Sequence, residues 1–270
     1  MTGSQGRGMS DVDHWTSAPD RAVRGSVGLC HLSVFQPPFD LDARDLPPQD
    51  AERARAFVES FESVEEVLAD LGPRSVQAAL PSSVRSDLDI VHAAAWGSML
   101  GIADAAFADD GNNGNDGNNG NDCDDGDNGS GVSLLSEAER LRERFPDARL
   151  VGRVTYYGYY GQYGCAEHTE DVVWLPDGAM FHACGRPGEE TFAVTGDPHA
   201  VVASLHLPGW ALHNAGVDLS EKPNEIEWFR LAGLALGRSD PWGWEEMQAT
   251  AFRVRRSASA VRSMEDLYFV

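Results

Sequence analysis

Two groups of residues in this 270-residue chain have the types and spacing that chemistry uses. The first is Cys165 and His168, in a C-x-x-H arrangement, followed after thirteen residues by His182 and Cys184 as H-x-C. Thiolate and imidazole are preferred zinc ligands, and zinc takes four of them in a tetrahedron. His182 and Cys184 are two apart on an expected strand and so share a face. Cys165 and His168 fall in the loop just past the preceding strand. The second pair is one residue tighter than the common zinc pattern, and the plain alternative is two core residues of a strand. A variant makes Cys165 a nucleophile with His168 or His182 as base, oriented by Glu167 or Glu170. Only loop glycines are at hand to form its oxyanion site.

The second group is aromatic. Tyr156, Tyr157, Tyr159, Tyr160 and Tyr163 are interleaved with Gly158, Gly161 and Gly164. On a strand, Tyr157 and Tyr159 share one face, and the glycines leave gaps where a flat ligand or another backbone can approach. With Trp210, Trp242 and Trp244 they make a candidate ligand-contact surface. The alternative is a twisted strand whose tyrosines pack on their neighbours with hydroxyls at the rim. Other histidines carry less. His199 and His206 would lie two helical turns apart, too far to share a metal, with His213 beyond. His92 and Trp96 read as a packed pair one helical turn apart.

The elements that must position these groups follow from pattern. Ser26–Phe35 reads as a strand stopped by Pro37 and Pro38. Gln49–Phe61 reads as a helix, and Ser63 with Glu66 as a capping box opening another. Ser83 caps an expected long helix through Phe107. Ser136 with Glu139 opens a helix before a long strand, Arg149–Gln162. Asp171–Leu175 and Ala179–Cys184 flank a Pro176-Asp177-Gly178 turn, a hairpin signal. Thr191–Thr195 is a short strand, and Asp197 caps a helix with Pro198 at its first position. Asn224 opens another helix, Gln248–Arg256 is a strand, and Leu267–Val270 a last one. The fold class expected is α+β: a small helical N-terminal domain and a C-terminal, mainly antiparallel sheet with packed helices.

Between the halves, residues 109–131 hold seven Asp, seven Asn and seven Gly with nothing to bury. No register of this run matches the ligand spacing of a calcium loop. It reads as a disordered linker, giving the expected division 1–20 disordered, 21–108 mostly helical, 109–131 linker and 132–270 α+β.

Composition bounds the setting. Forty-three acidic residues oppose 21 basic ones for a net charge of -22, and Lys222 is the only lysine. The excess persists when the aspartates of the linker are set aside. Molar salt screens such self-repulsion, so the chain reads as halophilic and acidic. The charge argues against direct nucleic-acid binding, and the triplet Arg253, Arg255 and Arg256 reads as the solvent face of a strand. With no secretory signal or membrane-length apolar run, a soluble cytoplasmic protein is expected. There Cys30, Cys123, Cys165 and Cys184 would be thiols or metal ligands rather than disulfides. The functional expectation is a binding or protein-interaction module without a cofactor. The alternative is a zinc-dependent or cysteine hydrolase centred on Cys165, His168, His182 and Cys184.

Overall fold

The alternation in SVGLCHLSVF sends Cys30, Leu32 and Val34 to one side of a strand and His31, Ser33 and Phe35 to the other, and all six are buried. Burial on both sides marks a central strand covered on both faces. The structure, a computed structural model, describes residues 15–39, 41–76, 83–108, 132–159, 165–242 and 246–269. Their strands are β1 (Ser26–Phe35), β2 (Val64–Ser75), β3 (Ile90–Trp96), β4 (Met99–Ala103), β5 (Arg149–Tyr159), β6 (Cys165–Trp174), β7 (Met180–Gly185), β8 (Ala193–Gly196) and β9 (Gln248–Arg256). They form one sheet in the order β2-β9-β3-β4-β1-β5-β6-β7-β8. Each neighbouring pair is antiparallel.

The helices are α1 (Ala51–Val58), α2 (Leu134–Arg144), α3 (Pro198–Ser204), α4 (Gly209–Ala215), α5 (Trp228–Leu236) and α6 (Ala258–Phe269). They cover the sheet as two layers. On the first face Phe57 of α1, Leu134 and Leu141 of α2, and Met264 and Tyr268 of α6 join Leu32, Ile102, Leu150 and Phe252 in one core. On the second face Val201 of α3 and Leu231 and Ala235 of α5 join Phe35, Met99, Val151 and Phe181 in another. None of the helices among the described residues is long and apolar enough to cross a membrane.

The α+β class with an antiparallel sheet is as expected, but the N-terminal half is strand-rich rather than mostly helical. The expected helix from Ser63 is β2. Its Val64 and Val67 are three apart, a helical spacing, yet register shifts in the pairing with β9 turn both inward. A bulge inserts a residue and resets the alternation. The expected helix from Ser83 to Phe107 is a short 3-10 turn followed by the β3–β4 hairpin, in which Trp96 pairs with Met99 across Gly97 and Ser98. The C-terminal strand expected at Leu267 is the end of α6. The cap of α2 is Ser133, a turn before the expected Ser136.

The sheet also does not follow the division at 109–131. Strand β9 from the C-terminal half lies between β2 and β3, and β1 lies between β4 and β5. The linker run itself lies outside the described residues. Part of the expected disordered N-terminus is ordered: Trp15 is buried, packs edge-on to Phe269 and donates its indole N–H to Asp89. The arginine triplet divides. Arg253 and Arg255 are exposed, whereas Arg256 is buried, paired at 2.8 Å with Asp104, which also accepts from Ser63.

Candidate functional site

Register in an antiparallel sheet sets residues of distant strands side by side, with directly opposed Cβ atoms about 5 Å apart. On the second face one such row is polar. His92 of β3 and His31 of β1 both stand opposite Ala103 of β4, on its two sides. His31 stands opposite Arg153 of β5, and Arg153 opposite Asp171 of β6. Alanines bound the row, Ala251 beyond His92 and Ala183 beyond Asp171. His31, His92 and Asp171 are buried.

The segment following α5 closes over this row. Asp240 accepts the Trp242 backbone N–H at 3.0 Å, and the Trp242 indole N–H donates to Ser33 at 2.8 Å. The indole stacks on the His31 ring with centroids 5.0 Å apart and 14° between planes, and meets Trp96 edge-on. It lies over Gly101, where a Cβ would come within 2.8 Å of Trp242 Cζ2. Glycine at this strand position is therefore a requirement of the close approach.

Arg153 is flanked by two carboxylates that it does not reach directly. Its Nε is 3.9 Å from Asp171 Oδ1, and its Nη1 is 3.8 Å from Asp240 Oδ2. These are attractive separations but too long for hydrogen bonds. Phe229 of α5 lies under the guanidinium, 5.5 Å from its ring centroid to the Arg153 Cζ. Four buried polar atoms of the row have no hydrogen-bond partner among the described residues: His31 Nε2, His92 Nδ1, Arg153 Nε and Asp171 Oδ1.

The burial shifts protonation. Desolvation pushes the Asp171 carboxyl up to about 7 against the opposing pull of Arg153. It also raises Asp240, opposed by the Trp242 N–H and Arg153. Desolvation, then the Arg153 charge, holds His31 well below the usual imidazole range. His92 is lowered to about 4, by burial first and the Arg74 charge second. The row thus offers neutral imidazoles, one permanent cation and two carboxyls. Below it, away from α5, the same face continues through the half-buried pair Thr155 and Thr169 to exposed Tyr157 and Glu167.

The residues singled out by type are divided by the fold. Trp242 belongs to the row, and Tyr157 lies at its open end. Trp210 is 68% exposed on α4. Tyr159 and Trp244 have side chains outside the described residues. His168, His182 and Cys184 all come to the first face, opposite to the row. There His182 Nε2 lies 3.0 Å from Glu170, and Cys184 Sγ 3.5 Å from His168 Nε2. The Cys165 side chain is outside the described residues. Among the described residues no group of three or more His, Cys, Asp or Glu side chains is arranged to hold a metal ion. Cys30 is a free, buried thiol, but Cys184 is disulfide-bonded, so the expectation of thiols or metal ligands rather than disulfides does not hold there. A sulfur committed to a disulfide is no zinc ligand.

The model of a family described as "Family of unknown function (DUF6333)" matches residues 14–116 and 121–270. No curated protein and no solved structure matches.

Proposed function

The chain belongs to the DUF6333 family, and from that premise we propose that it is a binding protein for a small polar molecule, taken up on the second face of the sheet at the row His31, Arg153, Asp171. The observation that carries the reading is the set of unpartnered buried atoms. Leaving one buried donor or acceptor unsatisfied costs about 1–3 kcal/mol. Four of them on neighbouring side chains are a burden that an apolar row would avoid. Partners supplied by a bound molecule offset that burden. Shifted carboxyl and imidazole groups gathered in one place support the same reading, since such groups concentrate at functional sites. Trp242 and Phe229 supply the apolar walls usual in a small-molecule site.

The test uses the full chain. The purified protein is incubated with a small-metabolite extract, freed of unbound material and examined by native mass spectrometry, beside Arg153→Met. The expected result is a mass retained by the unmodified protein and lost from the variant, with a shift in tryptophan emission from Trp242. Retention of the same species by both proteins, or by neither, would overturn the reading. Circular dichroism of Arg153→Met separates lost binding from lost folding.

A further inference from the structure

The gaps on either side of Arg153 specify what kind of group fits them. Arg153 Nε is a donor and Asp171 Oδ1 an acceptor, 3.9 Å apart, and neither has a hydrogen-bond partner among the described residues. Arg153 Nη1 and Asp240 Oδ2 repeat the arrangement at 3.8 Å. An oxygen about 2.8 Å from both atoms of such a pair sits about 2 Å to one side of the line joining them, bridging the pair at a normal hydrogen-bond distance from each. Between the guanidinium and an ionised carboxylate it accepts from the one and donates to the other through the same atom. A hydroxyl does both. A ligand carboxylate or phosphate only accepts, and is repelled wherever the two carboxyls are ionised. An ammonium only donates, and would face the guanidinium.

We infer that the two gaps beside Arg153 take hydroxyl groups of one uncharged polyhydroxylated ligand, a sugar or cyclic polyol; this deepens, and rests on, the small-molecule reading above. The guanidinium is planar and its donors are fixed in direction. Two hydroxyls bound at its two sides therefore belong on one compact, rigid ring. Such a ring also has C–H faces that need apolar cover. Phe229, 38% exposed, lies against the Arg153 plane, and Tyr157, 36% exposed, stands farther along the same face. An open aromatic ring beside paired carboxyl and guanidinium groups suits a molecule with polar edges and apolar faces. Two ordered waters would fill the same gaps without using either ring.

The probes are myo-inositol, D-glucose and D-ribose, with acetate, inorganic phosphate and methylamine as controls. Each is titrated by calorimetry and by saturation-transfer NMR against the unmodified protein, Asp171→Asn and Asp240→Asn. The expected result is saturable binding of at least one of the three polyols, weakened about tenfold or more by either substitution, as for a lost hydrogen bond to a charged group. The controls should not compete. Should Asp171→Asn fail to fold, Asp240→Asn decides, because Asp240 lies in a connecting segment rather than in the sheet. If no polyol binds saturably, or binding is indifferent to Asp240→Asn, the inference is overturned and waters alone fill the gaps. Binding of acetate, phosphate or methylamine that depends on Arg153 would overturn the polyol inference while leaving the small-molecule reading intact. Loss of every Arg153-dependent ligand would remove both.

Discussion

Asp171 is the residue at which burial and charge compete most directly. Its carboxyl is raised from 3.8 to about 7 because desolvation outweighs the attraction of Arg153. A carboxyl that holds its proton in the folded state and loses it in the unfolded state lowers stability as pH rises between the two values. The fall should therefore run from about pH 4 to about pH 7 and be level above. Glu137, raised to about 7 chiefly by burial, slopes the same way. His31 and His92, lowered in the folded state, slope the opposite way as pH rises toward 6.5. The whole-protein profile thus sums opposing slopes, and Asp171→Asn isolates one. Urea midpoints of the two proteins should diverge in favour of Asp171→Asn as pH rises through this window, by up to a few kcal/mol on the order of 1.4 kcal/mol per pH unit. A difference that stays constant with pH would mean that Asp171 titrates in the ordinary carboxyl range. Sequence alone pointed to Trp242 and Tyr157 through their aromatic type. It could not point to His31, Arg153 and Asp171, because they lie in different strands and only the register brings them into one row.

The elements were legible in proportion to how one-sided or well punctuated they are. Strands β1, β5 and β7 and the Pro176-Asp177-Gly178 turn stand where β-branched runs and turn residues indicated. So does the helix opened by Asp197, whose carboxylate accepts from the backbone of His199 and Ala200. Strand β6, by contrast, begins at Cys165 rather than Asp171 and so takes in Cys165 and His168, which were expected in a loop. Strands β3 and β4 were hidden because they are buried on both sides. The run HAAAW, all buried, has no alternation to show, and a short apolar run reads equally well as core helix. The turn between them was the missed signal. Gly97 sits at φ +61, and a Cβ there would come within 2.9 Å of Pro47. This position separates the two assignments by sign. In a helix interior, Gly97→Ala would stabilise by about 1 kcal/mol. In the observed hairpin it should destabilise by about 1–3 kcal/mol, from the left-handed backbone and the contact with Pro47. Urea unfolding measures the difference, and a gain in stability would reinstate a helix across this segment.

At the scale of the whole molecule the net charge is -22, and outside the row of Arg153 and Asp171 several buried charges face an opposite one. Arg256 answers Asp104 in the core, and Arg140 answers Glu137. Several of the remaining arginines are already committed: Arg21 to Glu265, Arg85 to Asp89, Arg255 to Glu66. Surface carboxylates left over repel one another across a single sheet sandwich. At about 0.1 M salt the screening length is near 10 Å, comparable with the spacing of surface charges, and at 1 M it is near 3 Å. Repulsion that burdens the folded state at low salt is then largely removed. A protein adapted to high salt should gain urea resistance steeply between low and molar KCl, and lose helical and sheet circular dichroism on dialysis to low salt. Sucrose at high concentration, excluded from the surface but uncharged, should not reproduce the gain, because it strengthens burial without screening charge. A urea midpoint indifferent to KCl over this range would show that the acidic surface is tolerated without salt. An equal gain in sucrose would assign the effect to exclusion from the surface rather than to charge.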